Sequence, residues 1–208
     1  MSNASQEMRE RWNGKVFPGF DKPLEFCPIR PKHREALLKA IWKSQHRLRG
    51  FIGWAKYVRS WNIKTILRFI DDHINDPIPN QHFVFIIGDQ IVGMGSLVKA
   101  YTDMDAQIAL WITSGFEGKG IGKAIVATLE DIAFKTWGFE VLYYEHDALN
   151  EASKRLPQKC GFVFSHVRDL EKSAEGESGF WFSWKKIRPT NLPDAIFQGR
   201  PIEDFIVP

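Results

Sequence analysis

Apolar positions along this chain recur with two periods, and the changes of period mark out its elements. From Leu24 to Ile29 apolar and polar residues alternate, as a strand with one buried face requires. Pro31 suits the start of a helix whose apolar side reads as Leu37, Leu38, Ile41 and Trp42. Asn62 suits the N-cap of a second helix carrying Ile63, Ile66, Leu67, Ile70 and Ile74 on one face, ended by Pro77 and Pro79. Strands are expected at 83–87, 91–100 and 105–112, the first two joined by a turn at Gly88-Asp89-Gln90. A longer helix follows with Ile121, Ile125, Leu129 and Ile132 at helical spacing. A strand at 141–145, a short helix from Asn150 and strands near 162–167 and 180–185 complete the series. Strands in succession ahead of a strand–helix–strand unit predict an α/β fold, a mixed central sheet flanked by helices.

These elements occupy residues 24–186, which read as a single domain. Residues 1–23 are polar with Gly and Pro and read as an N-terminal arm, in which Ser2-Asn3-Ala4 looks like a tag remnant. Residues 187–208 are Pro-rich with Ile196, Phe197, Phe205 and Ile206, a tail expected to pack on the body or on a partner subunit.

The segment from Gln107 to Ala133 carries the chemistry. An apolar strand runs into Gly118-Lys119-Gly120-Ile121-Gly122 and then into a helix. Glycines ahead of a helix let the backbone approach a ligand and aim free N–H groups at it. Those donors and the positive end of the helix dipole favour a phosphate or pyrophosphate. An ordinary glycine turn before an amphipathic helix is the competing reading. The ATP-type loop fails, because Gly122-Lys123 is followed by Ala124 and the residue five before Gly122 is Glu117. The dinucleotide pattern Gly-x-Gly-x-x-Gly fails too, since its third glycine would be Lys123 or Ile125.

Composition narrows the classes. A chain of 208 residues is long enough for one well-buried core. A net charge of +3, with no dense Lys/Arg run beside an aromatic face, argues against nucleic acid. Cys27 and Cys160 make neither a disulfide framework nor a zinc site, and the six histidines lack ligand spacing, so no metal is expected. With no charged-then-apolar leader and no bilayer-length apolar run, the chain reads as cytoplasmic and independent of membranes.

Gly-x-Gly preceded by Glu117-Gly118-Lys119 resembles the acetyl-CoA loop of the GNAT acetyltransferases, where Gln or Arg usually stands at the position of Glu117. Asn150-Glu151-Ala152-Ser153 followed by Lys159-Cys160-Gly161-Phe162 is similar to the Asn-x-x-Ser and Lys-x-Gly-Phe motifs of the RimJ/RimL-type ribosomal-protein N-acetyltransferases. Gln45-His46-Arg47-Leu48-Arg49, with Trp54, looks like the segment between that branch's first two helices. The ordered set spans roughly residues 24–186 and implies the GNAT acyl-CoA N-acyltransferase fold, with acetyl-CoA as cofactor and a primary amine as acceptor.

The resemblance also implies roles. The cofactor would lie where the fourth and fifth strands of the domain part. The backbone from Leu110 to Ile112 would pair with the pantetheine and help to stabilise the oxyanion. Gly118, Lys119, Gly120, Ile121, Gly122 and Lys123 would cradle the pyrophosphate, and Asn150 would hold the pantetheine arm. Ser153 would protonate the departing thiolate; its alternative role is to bond the helix N-terminus. Many relatives use a tyrosine four residues after that serine, where this chain has Pro157, a residue expected to kink or shorten the helix. For the base, Gln107 stands where relatives often carry a glutamate, leaving Glu145, His146, Asp169 or Glu171, or a water relay. Trp54, Tyr57 and Trp61 would form an aromatic wall for the acceptor.

RimL-like resemblance implies a protein N-terminal amine as acceptor. Asp71-Asp72, Asp76 and Asp103-Met104-Asp105 keep a polycation such as a polyamine or aminoglycoside open. Glu117, Gln107 and Pro157 favour a non-catalytic acyl-CoA-binding module, whereas Ser153 and Asn150 favour the enzyme, acting as a monomer or homodimer.

Overall fold

The computed structural model describes residues 15–17, 19–52, 63–75 and 82–192. Its strands are β1 (Lys15–Val16), β2 (Pro23–Pro28), β3 (His82–Ile87), β4 (Gln90–Lys99), β5 (Asp105–Ile112), β6 (Val141–Asp147), β7 (Val163–Asp169) and β8 (Phe180–Ile187). Its helices are α1 (Arg34–Phe51, entered by a 3-10 turn at Pro31–His33), α2 (Ile63–Ile74), α3 (Ile121–Asp131) and α4 (Glu151–Lys159). The strands form one sheet in the order β1-β2-β3-β4-β5-β6-β8-β7. The β5–β6 pair is parallel, and its neighbours are antiparallel. The expected mixed sheet is therefore present.

Each face of the sheet buries its own core. Phe26, Phe85, Ile108 and Leu142 pack beneath Ile121, Ile125 and Leu129 of α3. Val84, Met94 and Trp111 pack beneath Leu37 and Ile41 of α1 and Ile66 and Ile70 of α2. A sheet covered on both faces needs near-continuous apolar strands, and β3 is buried along almost its whole length. A Cβ at Gly95 of β4 would come within 2.7 Å of Ile125 and 3.0 Å of Leu129, so α3 lies unusually close to the middle of the sheet.

Two expectations need correcting. Gln45–Arg49 do not separate two helices but lie inside α1, because its buried face of Leu37, Ala40, Ile41, Ser44 and Leu48 runs unbroken almost to Gly50. Trp42 falls off that face and is 47% exposed. Ser44 takes a core position instead: its hydroxyl donates to the Ala40 carbonyl at 2.8 Å and accepts the Ser114 N–H at 2.9 Å, tying α1 to the loop after β5. The expected helical face of Ile121, Ile125, Leu129 and Ile132 is buried, and α3 continues as a π-helical turn over Ile132–Trp137 that buries Phe134 and Trp137 before Gly138 ends it.

Both ends of the domain extend past the expected limits. β1 pairs with β2, and Phe17 enters the core, so part of the N-terminal arm belongs to the sheet. After β8, Arg188 donates from its backbone to Glu140 and from Nε to Phe134, and Leu192 packs on the core. Residues 193–208 lie outside the described residues.

The β7–β8 loop is pinned at three points. The buried Glu177 carboxylate accepts the N–H groups of Ser173 and Ala174 and the Ser173 hydroxyl. The Gly176 N–H donates to the Gly50 carbonyl at 2.9 Å, where a Cβ would come within 2.7 Å of that oxygen. Asp147, 2% exposed, accepts the Leu149 N–H through Oδ1. Its Oδ2 accepts the Ser178 N–H and hydroxyl and the Gly179 N–H. Burial alone would push the Asp147 carboxyl up, but these bonds outweigh it and hold the group below the usual carboxylate range.

Asp147→Asn should lower unfolding stability by about 1.5–3 kcal/mol near neutral pH, the value of hydrogen bonds to a charged group. A carboxyl depressed on folding contributes fully above its unfolded value of about 3.9. That contribution is lost as pH falls through the folded value, so urea melts of wild type and variant should converge below about pH 4. A gap unchanged in acid would mean that the charge is not what stabilises.

Candidate active site

β5 and β6 pair only from Asp105↔Val141 to Ile108↔Tyr144. Beyond that point β5 remains paired with β4 as far as Ile112, and β6 with β8 as far as Asp147. The facing edges of 109–112 and 145–147 therefore diverge without a strand between them, leaving backbone groups for another partner. Leu110 and Ile112 lie on this edge, with side chains packed in the core beneath α3.

α3 begins at the gap. Gly118 and Gly120 have φ of +71° and +84°, a region that residues other than glycine rarely adopt. Gly120 is the N-cap, and no side chain bonds the first turn. Ile121 is buried, while Lys123 is exposed. A Cβ at Gly122 would lie 3.1 Å from Ile112 and 3.3 Å from Leu156, so α3, β5 and α4 meet at that residue. Lys119 holds its ammonium 4.6 Å from the ring of Phe20 and 5.9 Å from that of Phe116, two rings stacked at 5.7 Å. Backbone donors without a side-chain cap, flanked by glycines at 118 and 120, fit a pyrophosphate.

Glu117 does not oppose that fit. Its carboxylate is ion-paired with Arg47 of α1 and accepts the Gly115 N–H at 2.8 Å. Its charge is thus compensated, and it is directed back into its own loop.

α4 begins beside the same gap. Asn150 is its N-cap, accepting the Ser153 N–H at 3.2 Å. The Ser153 side chain lies beside the Tyr144 phenol, which burial pushes up to about 12. Pro157 is buried within the helix, which ends two residues later at Lys159.

Side chains alternate across a strand, so β6 turns Tyr144 toward α3 and α4 and Glu145 toward the opposite face. The Glu145 side chain is 3% exposed. It accepts the Tyr101 hydroxyl at 2.7 Å and Arg168 Nη1 at 2.9 Å. His146 is buried with both ring nitrogens engaged, Nδ1 by the Asp147 carbonyl at 2.8 Å and Nε2 by the Trp184 N–H at 3.0 Å. Burial lowers its pKa, and a neutral, doubly bonded imidazole has no lone pair left for an acceptor. Asp169 closes β7 and Glu171 lies exposed in the following loop. Gln107 pairs with Tyr143 across β5 and β6. Trp54, Tyr57 and Trp61 lie outside the described residues.

The fold thus gathers Leu110, Ile112, Gly118–Lys123, Asn150, Ser153 and Glu145 around one gap. Sequence reasoning missed Arg47, Tyr101, Tyr144 and Arg168. An acidic residue in an anion-binding loop signals that a cation must be near, but no spacing identifies Arg47 as that cation. Among the described residues no group of three or more His, Cys, Asp or Glu side chains could hold a metal ion, and no helix is long and apolar enough to cross a membrane.

Residues 24–163 match the family described as Acetyltransferase (GNAT) domain. Among solved structures, the ribosomal L7/L12 alpha-N-protein acetyltransferase RimL in complex with coenzyme A is similar, with TM-score 0.69 and 17% identity over 83% of this chain and 98% of that one. The microcin C7 self-immunity acetyltransferase MccE, in complex with acetyl-CoA and AMP, has TM-score 0.69 and 19% identity over 80% and 93%. Mycobacterium smegmatis RimJ, in complex with CoA-disulfide, has TM-score 0.64 and 16% identity over 88% and 87%. At these identities the likeness is one of fold. No curated protein is similar at a significant level.

Two substitutions test the loop by calorimetric titration with acetyl-CoA. Gly120→Val should abolish binding, because a branched side chain at positive φ blocks backbone approach; retained affinity would mean that the loop is only structural. Arg47→Gln should weaken binding about tenfold by leaving the Glu117 charge uncompensated, and Glu117→Gln added to it should restore most of the loss. No restoration would show that Arg47 acts otherwise than through Glu117.

Proposed function

The chain belongs to the GNAT acetyltransferase family and is an acetyl-CoA-dependent N-acetyltransferase, and from that premise we propose that its acceptor is a protein N-terminal amine. The observation that carries this reading is the β5–β6 gap, bordered on one face by two helix N-termini and on the other by a buried carboxylate. The β7–β8 loop bonds to the end of α1 through Gly176 and Gly50, which fixes its position. RimL, similar in fold, is described as an alpha-N-protein acetyltransferase.

A polycation is less well supported. Asp71 is held bidentate by Arg34, and Asp103 is paired with Lys99, so neither carboxylate offers an uncompensated charge. Asp76 lies outside the described residues. A small-molecule amine is the second reading. It is favoured by the exposed ring of Tyr101, 4.7 Å from Tyr143 and 6.3 Å from His166, on which a planar group would stack. MccE, similar in fold, is described with AMP as well as acetyl-CoA.

In this proposal Gly118–Lys123 hold the pyrophosphate, and the backbone of Leu110–Ile112 and the Asn150 amide hold the pantetheine. The acceptor nitrogen attacks the thioester carbon, a C–N bond forms and the C–S bond breaks. Glu145, directly or through one water, takes the proton that the nitrogen loses. Tyr101 and Arg168 fix the Glu145 carboxylate in place. Ser153 relays a proton from water to the departing sulfur and is left as a neutral hydroxyl. Trp54 and Tyr57 remain proposed acceptor contacts.

A thiol-release assay over N-terminal peptides, polyamines and aminoglycosides tests the acceptor; turnover confined to polyamines or aminoglycosides would overturn the N-terminal reading. Ser153→Ala should lower kcat about a hundredfold with little change in acetyl-CoA affinity, the usual scale of general acid catalysis. An unchanged rate would remove the serine from the mechanism.

A further inference from the structure

The span that matches the family starts at residue 24, yet two rings that precede it touch the glycine loop. Between β1 and β2 the Phe20 N–H donates to the Phe17 carbonyl at 3.0 Å, closing a turn with Gly19 at φ +82°. That turn presents both rings. Phe17 is buried, and a Cβ at Gly120 would lie 3.6 Å from its ring. Phe20 stacks on Phe116 with the ring planes 8° apart, and the Lys119 ammonium lies 4.6 Å from the Phe20 centroid.

A loop that holds an anion gains from both contacts. Glycine loses more backbone freedom on being fixed than any other residue, so Gly118, Gly120 and Gly122 need neighbours that keep the loop in one conformation. Phe17 does this at Gly120 by packing alone, and the first turn of α3 stays without a side-chain cap. Lys119 has to be ordered as well, because a long side chain loses rotamer freedom when it is fixed. A carboxylate would order it and cancel its charge, whereas an aromatic face orders it and leaves the charge in place. Lys119 forms no ion pair with any described residue, and the nearby Glu117 is taken by Arg47. Phe116 is shared with Lys43, whose ammonium lies 4.9 Å from that ring, so Phe20 is the ring that Lys119 has to itself.

We propose that Phe20 is a positioning residue for cofactor binding. Its ring holds the Lys119 ammonium, still charged, at the glycine loop, so that acetyl-CoA affinity depends on an arm outside the span that matches the family. The inference rests on the cofactor reading above. It adds a requirement that the loop's own sequence does not contain, because the ring that orders Lys119 comes from about a hundred residues earlier in the chain.

Calorimetric titration of the full chain with acetyl-CoA, on variants shown by thermal melts to be folded, tests it. Phe20→Leu should weaken binding about two- to fivefold, the scale of one cation–π contact near the surface. Phe20→Tyr, which keeps a ring under the ammonium, should bind as wild type does. In a Lys119→Met background Phe20→Leu should cause no further loss, because the charge through which the ring acts is gone. Lys119→Met alone should weaken binding at least as much as Phe20→Leu, and full affinity in that variant would overturn the inference whether or not Phe20→Leu folds. Unchanged affinity in Phe20→Leu, or the same loss with and without the Lys119 charge, would also overturn it and leave the cofactor reading standing. No binding by wild type would overturn both.

Discussion

The parallel pairing of β5 with β6 stops after four residues, and the arrangement of the site depends on that stop. Each strand stays hydrogen-bonded on its outer side, so neither end frays. In α/β sheets, ligands gather at the carboxyl ends of parallel strands because the helices that follow them begin there. Here both helices, α3 after β5 and α4 after β6, start at the parted ends. Gly122 keeps them together: with no side chain it lets Ile112 and Leu156 close on the first turn of α3. One shortened ladder thus leaves backbone edges without a strand partner, beside two helix N-termini and the apolar side chains of Ile112 and Leu156.

Uncapped backbone donors at the start of α3 would face an electrostatic problem in holding an anion, because the neighbouring sequence is rich in carboxylates. The fold deals with each separately. Glu117 faces Arg47, Asp147 is surrounded by N–H and hydroxyl donors, and Glu145 is turned through the sheet to Arg168 and Tyr101. Residues distant in sequence supply the cations in two of these cases. An isolated buried carboxylate would be costly, so each partner must be in place before the site is complete.

That distance also explains what the sequence could and could not disclose. Period-2 and period-3.6 patterns gave the strands and helices because burial of a face is a local property of the chain. The glycine loop and the Asn-x-x-Ser segment were legible because backbone conformation and capping are equally local. Arg47–Glu117, Arg168–Glu145 and Gly176–Gly50 were not, since each joins elements that only the tertiary fold brings together. Two misreadings have a related cause. Trp42 was assigned to the core by its hydrophobicity, but Ser44 holds the inward position because its hydroxyl bonds a loop across the sheet. Gln45–Arg49 read as a connection through the family resemblance, although their polar side chains sit on the outward face of a helix whose other face is apolar.

The end of β6 joins stability to chemistry most closely. Four consecutive residues there have four different surroundings. Tyr144 lies against Ser153 on the face that carries α3 and α4, and Glu145 meets Arg168 on the opposite face. His146 is fixed by Trp184, and Asp147 anchors the loop that reaches α1. A shift of register by one residue would exchange the two faces and break all four arrangements at once. Pairing with β8 along the whole of β6 sets that register, so the antiparallel ladder on one side holds the geometry that the missing parallel ladder leaves open on the other.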